Sequence, residues 1–214
     1  MRDDFAVIIV SHGRADNVAT LRTLAKCGYT GKYYIVVDDE DSDLPNYQRI
    51  YGEDKIIVFN KESVRHKFDM LDNFEGTNVV VFARNTLHDI ARSLGLKYFL
   101  ELDDDYRIFQ HRWEKDKSLK GTDIKDFDKI VDIYIEFLET SGAKTVAFVQ
   151  GGDMLGGVDR TIWRTRCIRK AMNCFFCSVD RPFTFDGRLN EDANSYIRYG
   201  NIGDLYLSCV DVRS

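Results

Sequence analysis

Through its first half the chain alternates short β-branched runs with longer amphipathic segments, and no other feature restricts its fold as much. Residues 5–10, 32–37, 55–59, 78–82 and 97–102 read as strands. Between them, residues 17–27 place apolar side chains at helical spacing and stop at Gly28, and residues 84–94 do the same and stop at Gly95. Strands alternating with helices imply βαβ units, hence an α/β fold with a mostly parallel central sheet flanked by helices. The second half is less regular: a helix is expected over 126–140, a strand over 144–149, a flexible turn over 151–157, a strongly basic helix over 159–172 and a strand over 205–214. No Pro/Ser-rich linker or repeat divides the 214 residues, so residues 1–214 are expected to form a single domain. Ending in a strand, without a terminal helix or tail, the domain reads as C-terminally shortened.

Several function classes are disfavoured at once. No GxGxxG follows the first strand and no GxxxxGK[ST] occurs, which weakens a dehydrogenase or a P-loop NTPase. No apolar run approaches the roughly 20 residues that span a bilayer, and no secretory signal precedes Ser11, so the chain reads as cytosolic with no membrane partner. A net charge of −5 argues against a protein coated in positive charge, though not against a local basic face. The five cysteines read as reduced thiols, and Cys174-Phe-Phe-Cys177 lacks the second pair that a zinc site needs.

The chemistry concentrates where strands end, which is where ligands collect in α/β sheets. Leu102-Asp103-Asp104-Asp105 follows the strand at 97–102. Adjacent carboxylates repel, and a hard cation such as Mg²⁺ or Mn²⁺, shared with substrate phosphates, offsets that repulsion. An Asp-x-Asp here suits a metal between Asp105 and a diphosphate, with Asp103 facing sugar or ribose hydroxyls. Asp38 and Asp39 follow the second strand, where a carboxylate can accept from a nucleobase N–H. Ser11-His12-Gly13-Arg14 offers backbone amides and a cation to a phosphate. Ala83-Arg84-Asn85 precedes a helix whose N-terminus favours anions. Each also has a plainer reading: a solvated acidic loop, a turn aspartate, a surface ion pair, a loop histidine.

Later in the chain, Asn190-Glu191-Asp192 supplies either a carboxylate that activates an acceptor hydroxyl or an N-cap followed by two first-turn acids. Arg160, Arg164, Arg166, Arg169 and Lys170 crowd one expected helix with Trp163 among them. That face suits DNA phosphates and a stacked base, or else a solvated helix with Trp163 in the core.

Taken in order, these motifs resemble GT-A inverting glycosyltransferases of the family-two type. The fuller wording at 11–17, 34–41 and 98–106, with Gln150-Gly-Gly-Asp153, Arg169-Lys-Ala-Met-Asn173 and Arg188-Leu-Asn-Glu-Asp192, resembles the phage TET-associated glycosyltransferases. These are similar to the base J glucosyltransferase. The resemblance covers nearly the whole chain. It implies a GT-A fold, a nucleotide-sugar donor (UDP-linked), a divalent metal, and an acceptor of 5-hydroxymethylcytosine in phage DNA inside an infected bacterial cell. It further implies that Ser11, Gly13, Arg14, Asp38, Asp39, Arg84, Asn85, Asp103 and Asp104 bind the nucleotide, that Asp105 binds metal, and that Asp192 is the base. Trp163, Arg164 and Arg169 are the expected DNA contacts. In GT-A enzymes a late histidine often ligates the metal; His12, His66, His88 and His111 all lie earlier than that region. A nucleotidyltransferase using the same metal–nucleotide site, or an inactive nucleotide- or DNA-binding module, are the competing readings.

Overall fold

The computed structural model describes every residue except Gly156 and Arg160, and every side chain except those two and Met154, Thr161 and Ile162. Ten strands form one sheet: β1 (Phe5–Val10), β2 (Lys32–Asp38), β3 (Ile56–Phe59), β4 (Tyr98–Asp103), β5 (Gln110–Lys115), β6 (Ser118–Asp123), β7 (Thr145–Val149), β8 (Cys167–Ile168), β9 (Cys174–Ser178) and β10 (Tyr206–Arg213). Their order is β3-β2-β1-β4-β9-β7-β10-β5-β6, with β8 on β10. β1 is parallel to both β2 and β4, and β2 to β3. β9 is antiparallel to both β4 and β7, which turns β7 and its parallel partner β10 back to the direction of β1. Six strands (β1, β2, β3, β4, β7 and β10) therefore deliver their C-terminal ends to one edge of the sheet.

β1 is buried along its whole length, as its unbroken apolar run requires of a strand covered on both faces. The helix Phe127–Ser141 lays Ile130, Val131, Tyr134, Ile135 and Leu138 on the sheet and ends at Gly142, whose φ of 66° supplies the left-handed stop. Tyr134 meets Phe148 and Phe176 at ring-centroid distances of 4.9 and 4.8 Å, inside an aromatic core that also holds Phe109 and Phe127. Cys174 and Cys177 are buried in β9, and burial pushes both thiols up, so this CxxC is part of the core. Among the described residues no helix is long and apolar enough to cross a membrane.

Three expectations are corrected. Residues 78–82 are not a strand: Val81–Arg84 is a helical turn that drives Phe82 edge-on into Phe68 at 5.2 Å. A four-residue apolar run is too short for periodicity to tell strand from helix. The basic helix over 159–172 is a short helix, Thr161–Thr165, followed by β8. Arg166, with φ of 61°, breaks the helix between them, and Arg160 lies outside the described residues. Gly151–Met154 and Gly157–Asp159 are short 3-10 turns where one flexible turn over 151–157 is expected, Gly156 lying outside the described residues.

Candidate functional site

Because the chain runs from β1 outward to β2 and β3 and then returns to β4 on the other side of β1, the strand order reverses at the β1/β4 boundary. Ligands of open α/β sheets bind beyond such a switch point. A cavity of about 370 Å³ opens there, lined by residues at the ends of β1, β2, β3 and β4. Ser11, Arg14, Asp38, Arg84, Asp103, Asp104 and Asp105 all reach it, as do His12, Lys61, Asn78, Asn173 and Glu191. Its apolar wall is Val10, Phe59, Val79, Val80 and Ala83.

The β1/β4 seam is fastened by side chains. Ser11 Oγ donates to Asp104 Oδ2 at 2.5 Å and lies 2.6 Å from Tyr47 Oη, a second hydrogen bond. Arg14 Nη1 donates to Asp104 Oδ1 at 3.0 Å and lies 3.9 Å from Asp105 Oδ2. Asp104 is therefore occupied on both oxygens, whereas the Asp105 side chain is 69% exposed. The amides that follow His12 are not offered to a phosphate. Gly13 N donates to Asp41, Arg14 N to Tyr47 Oη and Ala15 N to Asp43. Gly13 has φ of 64°, a conformation that lets the loop fold onto these acceptors. What the loop presents is the Arg14 guanidinium, 55% exposed.

At the β2 end, Asp38 Oδ2 meets His12 Nδ1 at 2.6 Å and Oδ1 meets Lys61 Nζ at 2.9 Å. Burial opposes the Asp38 charge, but Lys61 and His12 together hold its carboxyl below the usual range. Lys61 Nζ also donates to Asn78 Oδ1 at 3.0 Å. Asp39 faces away from the cavity, accepting from Lys61 N at 3.0 Å and from the Asn60 side chain. Lys61 and Asn78 escape the sequence reading, although Lys61 follows a strand end just as Asp38 and Asp103 do.

Under the floor lies one guanidinium among three carboxylates. Arg84, 2% exposed, donates from Nε to Glu101 at 3.1 Å, from Nη2 to Asp103 at 3.0 Å and from Nη1 to Glu191. Its Cζ sits 5.3 Å from the centroid of the Phe175 ring. Desolvation pushes Glu101 up to about 8 against the pull of Arg84, and raises Asp103 and Glu191 as well. Carboxyls with raised folded-state pKa ionise first in the unfolded chain, so this cluster's contribution to stability falls as pH rises from the ordinary carboxylate range towards about 8. Asn85 is a tie rather than a cavity residue, exchanging hydrogen bonds with the Phe185 backbone at 2.8 Å in each direction.

Asp192 stands on the first turn of the helix Glu191–Gly200, buried, and among the described residues its side chain accepts from Ala193 N alone, at 2.7 Å on Oδ1. Asn190 has φ of 55° and makes no side-chain cap, while Glu191 and Asp192 do occupy the first turn of the helix, as the capping alternative expects. Arg164 and Arg169 are exposed. Trp163 is not available to stack on a base: it is 3% exposed in a small cluster with Val149, Val158 and Val210, and its Nε1 donates to Glu114 at 3.2 Å.

For a divalent cation the donor set is partial. Among the described residues no group of three metal-ligating side chains forms. Asp105 is exposed, and Asp103 uses only Oδ1 on Arg84. Cations that take one or two carboxylates and complete their shell with substrate phosphates fit such a pair.

Comparison with known proteins agrees with this architecture. The structure of S. aureus TarS 1-349 in complex with UDP-GlcNAc is similar in fold, with a TM-score of 0.51 at 12% identity, over 99% of this chain. This chain spans 58% of the length of that one. The fold is thus GT-A-like, as the motif order implies. By sequence, no curated protein matches. The family model for TET-associated glycosyltransferases matches residues 5–213, and the chain belongs to that family.

Proposed function

We propose that this glycosyltransferase moves a sugar from a UDP-sugar to the hydroxymethyl group of 5-hydroxymethylcytosine in DNA, with inversion at the anomeric carbon. The observation that carries the reading is the cavity itself, with its apolar wall at the β2/β3 end and its acids and Arg14 at the β4 end. β2 and β4 flank β1, so these ends lie roughly 10 Å apart at ordinary strand spacing. A nucleoside diphosphate laid along this edge would put its base by Asp38, Lys61, Asn78 and Phe59, its ribose by Asp103, and its phosphates by Arg14. The UDP-GlcNAc in the TarS complex supports the choice of a UDP-linked donor.

In this reading Asp105 holds a divalent cation, Mn²⁺ or Mg²⁺, that would supply neutralisation of charge on the diphosphate. The residues of the chain do the rest. Arg84 fixes Asp103 and Glu191 from below. Asp192 takes the acceptor's hydroxyl proton as the oxygen bonds to the anomeric carbon, and the sugar–phosphate bond breaks with its electron pair on the departing UDP. Glu191 is neutralised by Arg84, which leaves Asp192 as the helix-start carboxylate without a cationic partner. Arg164 and Arg169 are proposed to meet acceptor phosphates.

The metal assignment has its own test. Asp105→Asn should weaken UDP binding in Mn²⁺ about tenfold or more, a loss of ~1.4 kcal/mol or above, and leave binding nearly indifferent to EDTA. Calorimetry showing unchanged affinity and an unchanged EDTA response would remove Asp105 as the ligand. A nucleotidyltransferase would instead release pyrophosphate, so the by-product of turnover separates the two enzyme readings.

A further inference from the structure

Arg112 and Arg213, outside the cavity, stand out among the described residues because each has a buried guanidinium nitrogen with no acceptor. The side chains of Arg112 on β5 and Arg213 on β10 form no hydrogen bond and no ion pair among the described residues, and the Nε atom of each is buried without an acceptor. Asp211, the acid two residues before Arg213 on β10, is taken by Arg166 at 3.2 Å. Register pairs Arg213 with Gln110 and Val212 with His111, so Arg112 and Arg213 are diagonal neighbours on one face of the sheet. Burial and the Arg213 charge both work against the charged form of Arg112. Two close guanidiniums with no carboxylate between them are costly unless an anion joins them.

The local sequence makes room for the two guanidiniums themselves. Gly121 faces Arg112 across the β5/β6 ladder, and a Cβ there would fall 2.7 Å from Arg112 Nη1. Gly151, at the end of β7, lies under the Arg213 guanidinium, with its Cβ direction 3.7 Å from Arg213 Cζ. Arg213 is also on the edge that carries the donor cavity, because β10 and β7 run in the direction of β1 and β4. A short path links the two places: Ser214 N donates to Val149 O, Gln150 Nε2 donates to Ser214 Oγ and to Met172 O, and Asn173 lines the cavity. From β4 to β10 and β5 is three to four strand spacings, roughly 15–20 Å.

We propose that Arg112 and Arg213 bind a backbone phosphate of the acceptor DNA, roughly four to six base pairs along the duplex from the nucleotide being modified, at about 3.4 Å per step. This rests on DNA being the acceptor. It gives an acidic protein a point of attachment for a polyanion away from the aspartates of the donor site, where repulsion is greatest. Guanidiniums suit the task because their planar forks meet two phosphate oxygens at once.

The test uses the full chain with Arg112→Gln and Arg213→Gln together, and a hydroxymethylated duplex followed by fluorescence anisotropy across a salt series. The double variant should lose about tenfold or more in affinity at low salt. The slope of log K against log salt should fall by about one to two, each phosphate that is no longer neutralised accounting for about 0.9. Binding of UDP should not change, and Arg112→Lys with Arg213→Lys should restore most of the slope. A folded double variant with unaltered DNA affinity and slope would overturn the proposal while leaving the DNA acceptor intact. Failure of the unaltered protein to bind the duplex at all would overturn both.

Discussion

Asp192→Asn is expected to slow sugar transfer by about a hundred- to ten-thousandfold, the usual cost of removing a general base. A hydroxymethyl alcohol is a poor nucleophile while protonated, so a carboxylate that accepts its proton acts mainly in the transition state. Asn keeps the size of the side chain and its Oδ1 can still accept from Ala193 N, the bond Asp192 makes among the described residues. Donor affinity and melting temperature should therefore change little. A purely structural role, met equally by Asn, would leave turnover of the folded protein near normal. Near-normal transfer by folded Asp192→Asn protein would rule out Asp192 as the base.

The largest loss of stability should come from Arg84→Met. Nearly isosteric along its stem, Met removes the only cation among Glu101, Asp103 and Glu191, three carboxylates gathered around a guanidinium that is 2% exposed. Breaking a buried pair by deleting one partner costs about 3–5 kcal/mol, a large share of the roughly 5–15 kcal/mol that holds a domain together. Arg84→Lys should fall between, since it keeps the charge but cannot aim three separate nitrogens at three acids. Urea unfolding of the two variants checks this. A Met variant as stable as the parent would mean that proton uptake by the acids already neutralises the cluster.

The half of the fold around the cavity is legible because β1, β4 and the last four residues of β2 are buried runs whose ends carry the polar residues, while β3, with Val58 42% exposed, is marked by its β-branched run, so strand recognition and site recognition are nearly the same act. Asp38 and Asp103 to Asp105 follow from that rule. Arg84 shows where it fails. Its position before a helix suits a phosphate ligand, yet the side chain turns inward to acids 17 and 107 residues away, a pairing that only the tertiary fold creates. The β5/β6 hairpin is invisible in the sequence for a different reason. Its turn residues Asp116 and Lys117 have φ of 53° and 57°, the form that normally calls for Asn-Gly or Asp-Gly, and no glycine marks it. Along 159–172 the crowd of basic residues masks a break at Arg166, because charge says nothing about where a helix stops.

Sugar transfer to a hydroxymethylated base is open to one decisive measurement. The protein is incubated with Mn²⁺, a UDP-sugar panel and DNA containing 5-hydroxymethylcytosine, and the digested nucleosides are weighed by mass spectrometry. A hexose- or N-acetylhexosamine-sized mass increase is expected on the 5-hydroxymethylcytosine nucleoside, matched by UDP release and absent with unmodified cytosine. Donor turnover that releases pyrophosphate, or UDP release with every nucleoside left at its original mass, would contradict it.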